Sequence, residues 1–215
     1  MFAVILGGYT EQILYVLMSA EEMKEDVMAA QKIGARMTDY DRIVQTAQFS
    51  DEELPVLINC LAYVANADGV FSSEEHAFLC GIVESFTDSP ELAEAFVDSA
   101  VSLPESVNIS HPEVAVLLSY MLAYIDGCFS KHEAQAIESL TSRLGVSNER
   151  CSELHLLVKK KLYNMVLFNI YEDMQKTADE QKLLDELRAV LNIGEEDANE
   201  EERRVCKELE ELANA

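Results

Sequence analysis

Two stretches of this chain repeat one pattern of acidic, small and aromatic residues. The first is Asp68-Gly69-Val70-Phe71-Ser72-Ser73-Glu74-Glu75 and the second is Asp126-Gly127-Cys128-Phe129-Ser130-Lys131-His132-Glu133. Both read D-G-x-F-S-x-x-E, 58 residues apart, a spacing that implies a duplicated supersecondary unit. If the two units pack about a pseudo-twofold axis, Asp68, Glu75, Asp126 and Glu133 converge. Carboxylates with no added Cys or His suit a hard cation, so Ca²⁺, Mg²⁺ or Mn²⁺ is favoured over Zn²⁺. Left without a cation, such a cluster would repel itself.

The same residues also have a purely local explanation. A helix ending near Ala67 needs a left-handed residue after it, and Gly69 supplies one. Phe71 would anchor the turn in the core, and Ser72 with Glu75 reads as a capping box for the next helix. Gly127, Phe129, Ser130 and Glu133 repeat the scheme. The aspartates are what capping does not explain. At a helix C-terminus a negative charge is disfavoured by about 0.3–1 kcal/mol, although Asp-Gly is also an ordinary turn pair.

Other chemistry is weakly represented. Aligned on Gly69 as the sixth position of a calcium-binding loop, the first and third ligand positions fall on Val64 and Asn66, and in the second copy on Leu122 and Tyr124. That excludes a self-contained loop of that kind. His76 and His132 adjoin the glutamates but diverge from them by about 100° on a helix. His111 and His155 stand outside any motif. No H-E-x-x-H, phosphate-binding loop or nucleophile constellation is present, so the chain reads as non-enzymatic.

The elements that must position these residues are helices. Of 215 residues only 8 are Gly and 4 Pro, while 49% are hydrophobic, which favours an all-α protein with a real core. The expectation is seven to ten helices: a duplicated helix-turn-helix core at 50–145, an N-terminal helical extension at 1–49, and C-terminal helices with an acidic tail at 146–215. Helix starts are expected at Ser50, Ser72, Ser89-Pro90, Ser110, Ser130, Ser147 and Asn199, several with Glu three residues on. Gly194 is expected to end the helix that carries Leu183, Leu184, Leu187 and Leu191. The final helix has a thin apolar stripe of Val205, Leu209 and Leu212, which suits weak packing or docking.

Ahead of the core, Ile13, Val16, Ala20, Met23, Val27, Ala30, Gly34 and Met37 recur at alternating spacings of three and four, an a/d seam. The seam packs on the chain's own core or forms a homodimer.

The net charge is −24. Residues 51–145 hold 16 Asp and Glu against Lys131 and Arg143 alone, so the repeat region would attract cations or a basic protein partner and would repel nucleic acid. The one basic run, Lys159-Lys160-Lys161, reads as a solvated helix face. Five scattered cysteines suit a reducing compartment. The apolar start lacks the positive flank of a signal peptide, and no stretch is long enough to span a membrane. A cytoplasmic protein is expected.

The stretch Leu61 to Glu75, Leu-Ala-Tyr-Val-Ala-Asn-Ala-Asp-Gly-Val-Phe-Ser-Ser-Glu-Glu, and its partner from Leu122 to Glu133 resemble the tellurite-resistance TerB family and the related N-terminal domain of membrane-anchored DnaJ-like proteins. The resemblance covers roughly residues 50–145. It implies an all-helical fold, an acidic metal centre built from the paired Asp and Glu, and a non-enzymatic role in stress-linked assemblies. The second copy departs from the family pattern at Tyr124-Ile125. The alternative is a metal-free helical scaffold or adaptor working through the N-terminal seam and acidic surfaces.

Overall fold

The computed structural model describes residues 38–87, 103, 107–125, 129–171 and 176–213. Among these there are eight α-helices and no strand: α1 (Asp39–Gln45), α2 (Leu54–Ala65), α3 (Ser73–Thr87), α4 (Pro112–Leu122), α5 (Lys131–Leu144), α6 (Asn148–Ile170), α7 (Ala178–Leu191) and α8 (Glu195–Ala213). A single 3-10 turn, Asn66–Asp68, follows α2. The protein is all-α, as its composition and capping signals predict. The N-terminal seam from Ile13 to Met37 and the start at Ser89-Pro90 lie outside the described residues.

The described chain separates into two compact units, residues 43–155 and residues 38–42 with 156–213. In the first unit, α2 is the central element and packs against α3, α4 and α5. Its sequence, Leu-Pro-Val-Leu-Ile-Asn-Cys-Leu-Ala-Tyr-Val-Ala, carries no charge, and a helix apolar on every side belongs in an interior. Leu57, Cys60, Leu61 and Val64 are wholly buried, each large apolar side chain contributing about 1.5–3 kcal/mol relative to exposure. α4 is nearly as apolar, Glu113 in its first turn being its one charge, with Ala115, Val116, Leu117, Met121 and Leu122 wholly buried. α5 instead has one apolar stripe, Ala136, Ile137 and Leu140, which packs on Cys60, Val64 and Ala123. The two sequence repeats are therefore the helix pairs α2–α3 and α4–α5, and their leading helices face each other in the core.

The helix ends show where capping signals held and where tertiary partners displaced them. Ser50 and Glu53 exchange hydrogen bonds, but they close a turn ahead of α2. The pairing expected of Ser110 with Glu113 does not form. Ser110 N donates to Glu53 Oε1 at 2.5 Å, His111 takes the cap position, and Glu113 accepts from Arg150 Nη2 at 2.7 Å. The Ser110 contact ties the start of α2 to the segment before α4. Hydrogen bonds from the Ser50 and Ser110 backbone hold the Glu53 carboxyl down at about 2.

In the second unit, Leu162, Val166, Leu167 and Ile170 of α6, Leu184, Leu187 and Leu191 of α7, and Ala198 and Val205 of α8 are all buried. Thr177 and Glu180 form a reciprocal capping box at the start of α7. Asn192 (φ 50°) closes that helix, not Gly194. α8 starts at Glu195, one turn before the expected Asn199. Its Glu202 bonds Tyr171 and Lys176 instead of capping. With Val205 wholly buried and Glu201 only 9% exposed, the acidic final helix is packed along one stripe. Among the described residues no helix is long and apolar enough to cross a membrane.

Candidate functional site

The first copy of the repeat is described throughout. α2 passes through the Asn66–Asp68 3-10 turn into Gly69, which adopts φ 85°. That region is open to glycine at little steric cost. Asp68 is exposed, and its Oδ1 accepts the Val70 N–H at 2.9 Å. It thus closes an Asx turn on its own backbone. Phe71 is half-buried and leans on the His76 ring with centroids 5.7 Å apart. The aromatic thus packs on the next helix's first turn.

Ser72 and Glu75 then form the capping box that their spacing predicts. Glu75 N donates to Ser72 Oγ at 3.1 Å, while Ser72 N and Oγ donate to Glu75 Oε2 at 2.8 and 2.9 Å. The second copy repeats this: Glu133 N donates to Ser130 Oγ at 3.1 Å and Ser130 N to Glu133 Oε2 at 2.6 Å. Both glutamates are 3% exposed. A carboxylate so buried needs such partners.

Asp126, with Gly127 and Cys128, lies outside the described residues, so three of the four expected ligands can be placed. Asp68 is at an exposed turn, while Glu75 and Glu133 are buried at the first turns of α3 and α5. Among the described residues no three His, Cys, Asp or Glu side chains gather closely enough to hold a metal ion. The copies nevertheless touch: the turn that carries Asp68 packs against α5, with Ala67 on the cluster of Ala136, Ile137 and Leu140. Val64, which occupies the first-ligand position of the rejected calcium loop, is wholly buried within α2.

Beside the second copy lies an aromatic assembly that no motif announces. His155 stacks on Tyr120 with ring centroids 4.2 Å apart and planes 4° from parallel. Its Nε2 meets the Tyr124 hydroxyl at 2.8 Å. Tyr124 stacks in turn on Phe129 at 5.0 Å. Burial, with Cys151 nearby, pushes the Tyr120 hydroxyl up to about 12, and burial also raises Tyr124. The assembly locks the repeat's Phe129 between α4 and α6. The available signal was spacing: Tyr120, near the end of α4, and Tyr124, in the turn that follows it, are four residues apart.

The basic run also differs from its expectation. Lys160 and Lys161 are half-buried and paired, Lys160 Nζ lying 2.6 Å from Asp197 and Lys161 Nζ 2.8 Å from Asp41. Burial lowers the Lys159 ammonium. A solvated face is what three adjacent lysines usually make, but here α1 and α8 each bring an aspartate to one of them.

Compared with known proteins, the chain matches no family model, no curated protein and no solved structure.

Proposed function

We propose that this chain is a non-enzymatic helical scaffold or adaptor, its repeated Asp-Gly turn serving as a capping and packing device. One observation carries the reading: Glu75 and Glu133, at equivalent positions of the repeat, are both buried and both closed into a capping box with the serine three residues before. The capping box therefore gives each glutamate partners within its own turn. The resemblance to the TerB family supports a stress-linked assembly as the setting. The −24 charge supports protein partners with basic surfaces. The reading predicts that cations stabilise the protein only by screening, equally in wild type and in Asp68→Ala/Asp126→Ala.

A second reading has its own support. Because the turn bearing Asp68 packs on α5, the two copies are neighbours. A divalent cation, Ca²⁺, Mg²⁺ or Mn²⁺ before Zn²⁺, would then be held by Asp68, Glu75, Asp126 and Glu133. Such a metal would be structural or regulatory and would couple folding to binding. Stabilisation confined to wild type would establish it.

Homodimerisation through the N-terminal seam is tested separately, by sedimentation of wild type and Met23→Glu/Val27→Glu. The seam version requires a wild-type dimer that the charges dissociate. A wild-type monomer ends it.

A further inference from the structure

Four free cysteines lie among the described residues, and they differ in what surrounds the sulfur. Cys60 is wholly buried, and burial pushes its thiol up to about 12. Cys151 is buried as well, with its Sγ 3.9 Å from the Val146 carbonyl oxygen. Cys206 is part-exposed, but burial and the Glu202 charge raise its thiol. Cys80 is part-exposed and has a base in contact, its Sγ lying 3.7 Å from His76 Nδ1. A thiol reacts as its thiolate, so a neighbouring proton acceptor and access from solvent separate a reactive cysteine from an inert one.

The fold explains the geometry of the pair. His76 and Cys80 are four residues apart on α3 and so share one of its faces. From the preceding turn, Phe71 packs on the imidazole with ring centroids 5.7 Å apart. A nucleophile, a base in reach of it and a third group that orients the base are the parts of an activated nucleophile. The repeat itself does not call for this pair. At the same offset of 58 residues the second copy has Ala134 and Glu138, and α5 forms a capped helix with them. His76 and Cys80 are therefore an addition made in the first copy, beyond what capping and packing require.

We propose that Cys80 is an oxidation site for small hydroperoxides, with His76 as its base. The reaction is stoichiometric, one event per chain, in keeping with a non-enzymatic scaffold. With the imidazole proton on Nε2, Nδ1 takes the proton of the Cys80 thiol. The thiolate attacks the terminal oxygen of the hydroperoxide, so that an S–O bond forms as the O–O bond breaks. The sulfur is oxidised to a sulfenic acid and the peroxide is reduced. The leaving alkoxide, or hydroxide from hydrogen peroxide, takes the proton back from His76 and departs as alcohol or water.

The test treats the reduced full chain with hydrogen peroxide at neutral pH and traps sulfenic acid with dimedone. Labelled peptides are followed over time by mass spectrometry in wild type, His76→Gln and His76→Asn. The expected result is labelling of Cys80 about tenfold or more faster than of Cys206, falling about tenfold or more in both variants while Cys206 is unchanged. Labelling of Cys80 no faster than of Cys206 overturns the proposal. A Cys80 rate that survives the loss of His76 overturns it too, since exposure alone would then explain the reactivity. Should one variant fail to fold by circular dichroism, the other decides.

Discussion

Ser130 and Glu133 hold each other at the start of α5: the serine hydroxyl accepts the glutamate N–H at 3.1 Å while the glutamate carboxylate accepts the serine N–H at 2.6 Å. The carboxylate is 3% exposed, so the bond is made where water does not compete. Ser130→Ala should therefore lower stability by about 1–2 kcal/mol, the upper part of the range for a lost N-cap. Thr177→Ala removes the same type of box from an exposed helix start and should lie at the lower end, about 0.5–1 kcal/mol. Urea unfolding of the two variants compares them. Equal losses would remove burial from the explanation.

Gly69 gives a second contrast. Its φ is 85°, and nothing lies within 4 Å of where a Cβ would stand. Gly69→Ala should thus cost only backbone strain, about 1–2 kcal/mol. Gly69→Asn should recover most of it, because asparagine tolerates the left-handed region. A loss of more than about 3 kcal/mol for alanine would mean that a Cβ at this turn meets a neighbour.

Acid should act on the second unit through Asp41. Burial alone would raise its carboxyl, but the Lys161 charge and hydrogen bond, together with Thr38, outweigh burial and leave it lowered. A carboxyl lowered on folding adds stability above its unfolded value of about 3.9. That stability is lost as pH falls through the folded value. Wild type should lose stability more steeply than Asp41→Asn below about pH 4, as read by urea midpoints across that range. Parallel curves would refute the assignment. Glu113 is also lowered, by its hydrogen bonds from Arg150. That pair is more exposed, so salt should weaken it more than Asp41–Lys161.

The final helix gives a packing prediction. Val205 is wholly buried in α8, whereas Leu156 of α6 is 37% exposed. Val205→Asp should destabilise by about 3 kcal/mol or more, since an unpaired charge enters the core. Leu156→Asp should stay within about 0.5–1 kcal/mol of wild type. If α8 were only a loosely attached acidic tail, the two changes would have similar effects in thermal unfolding.

Where the chain's structure was legible, one local rule decided it. The uncharged stretch from Leu54 to Ala65 had to be interior, the Ser72 and Ser130 boxes were written in their spacing, and Gly69 announced a left-handed turn. What spacing did not reveal were partners far along the chain. Glu113 left its expected box for Arg150, Ser110 was taken by Glu53, and Lys160 and Lys161 found Asp197 and Asp41. Each of these is a tertiary contact that competes with a local bond of similar strength, and only the packed core determines which forms. Asn164 carried a readable signal, a polar residue inside the apolar run from Leu162 to Leu167, where a buried polar group demands a partner. Of the candidate site, the two glutamate caps were legible. The meeting of the first turn with α5 was not, because sequence alone does not state how two copies of a unit pack.

The central claim is that the repeated acidic turn is a structural device. Its most direct test is thermal unfolding of wild type and Asp68→Ala/Asp126→Ala, first with EDTA and then with Ca²⁺, Mg²⁺, Mn²⁺ and Zn²⁺ added singly. The account predicts small rises of equal size in both proteins, the signature of screening a net charge of −24. A rise of several degrees for one cation in wild type alone would contradict it and establish a specific acidic metal centre.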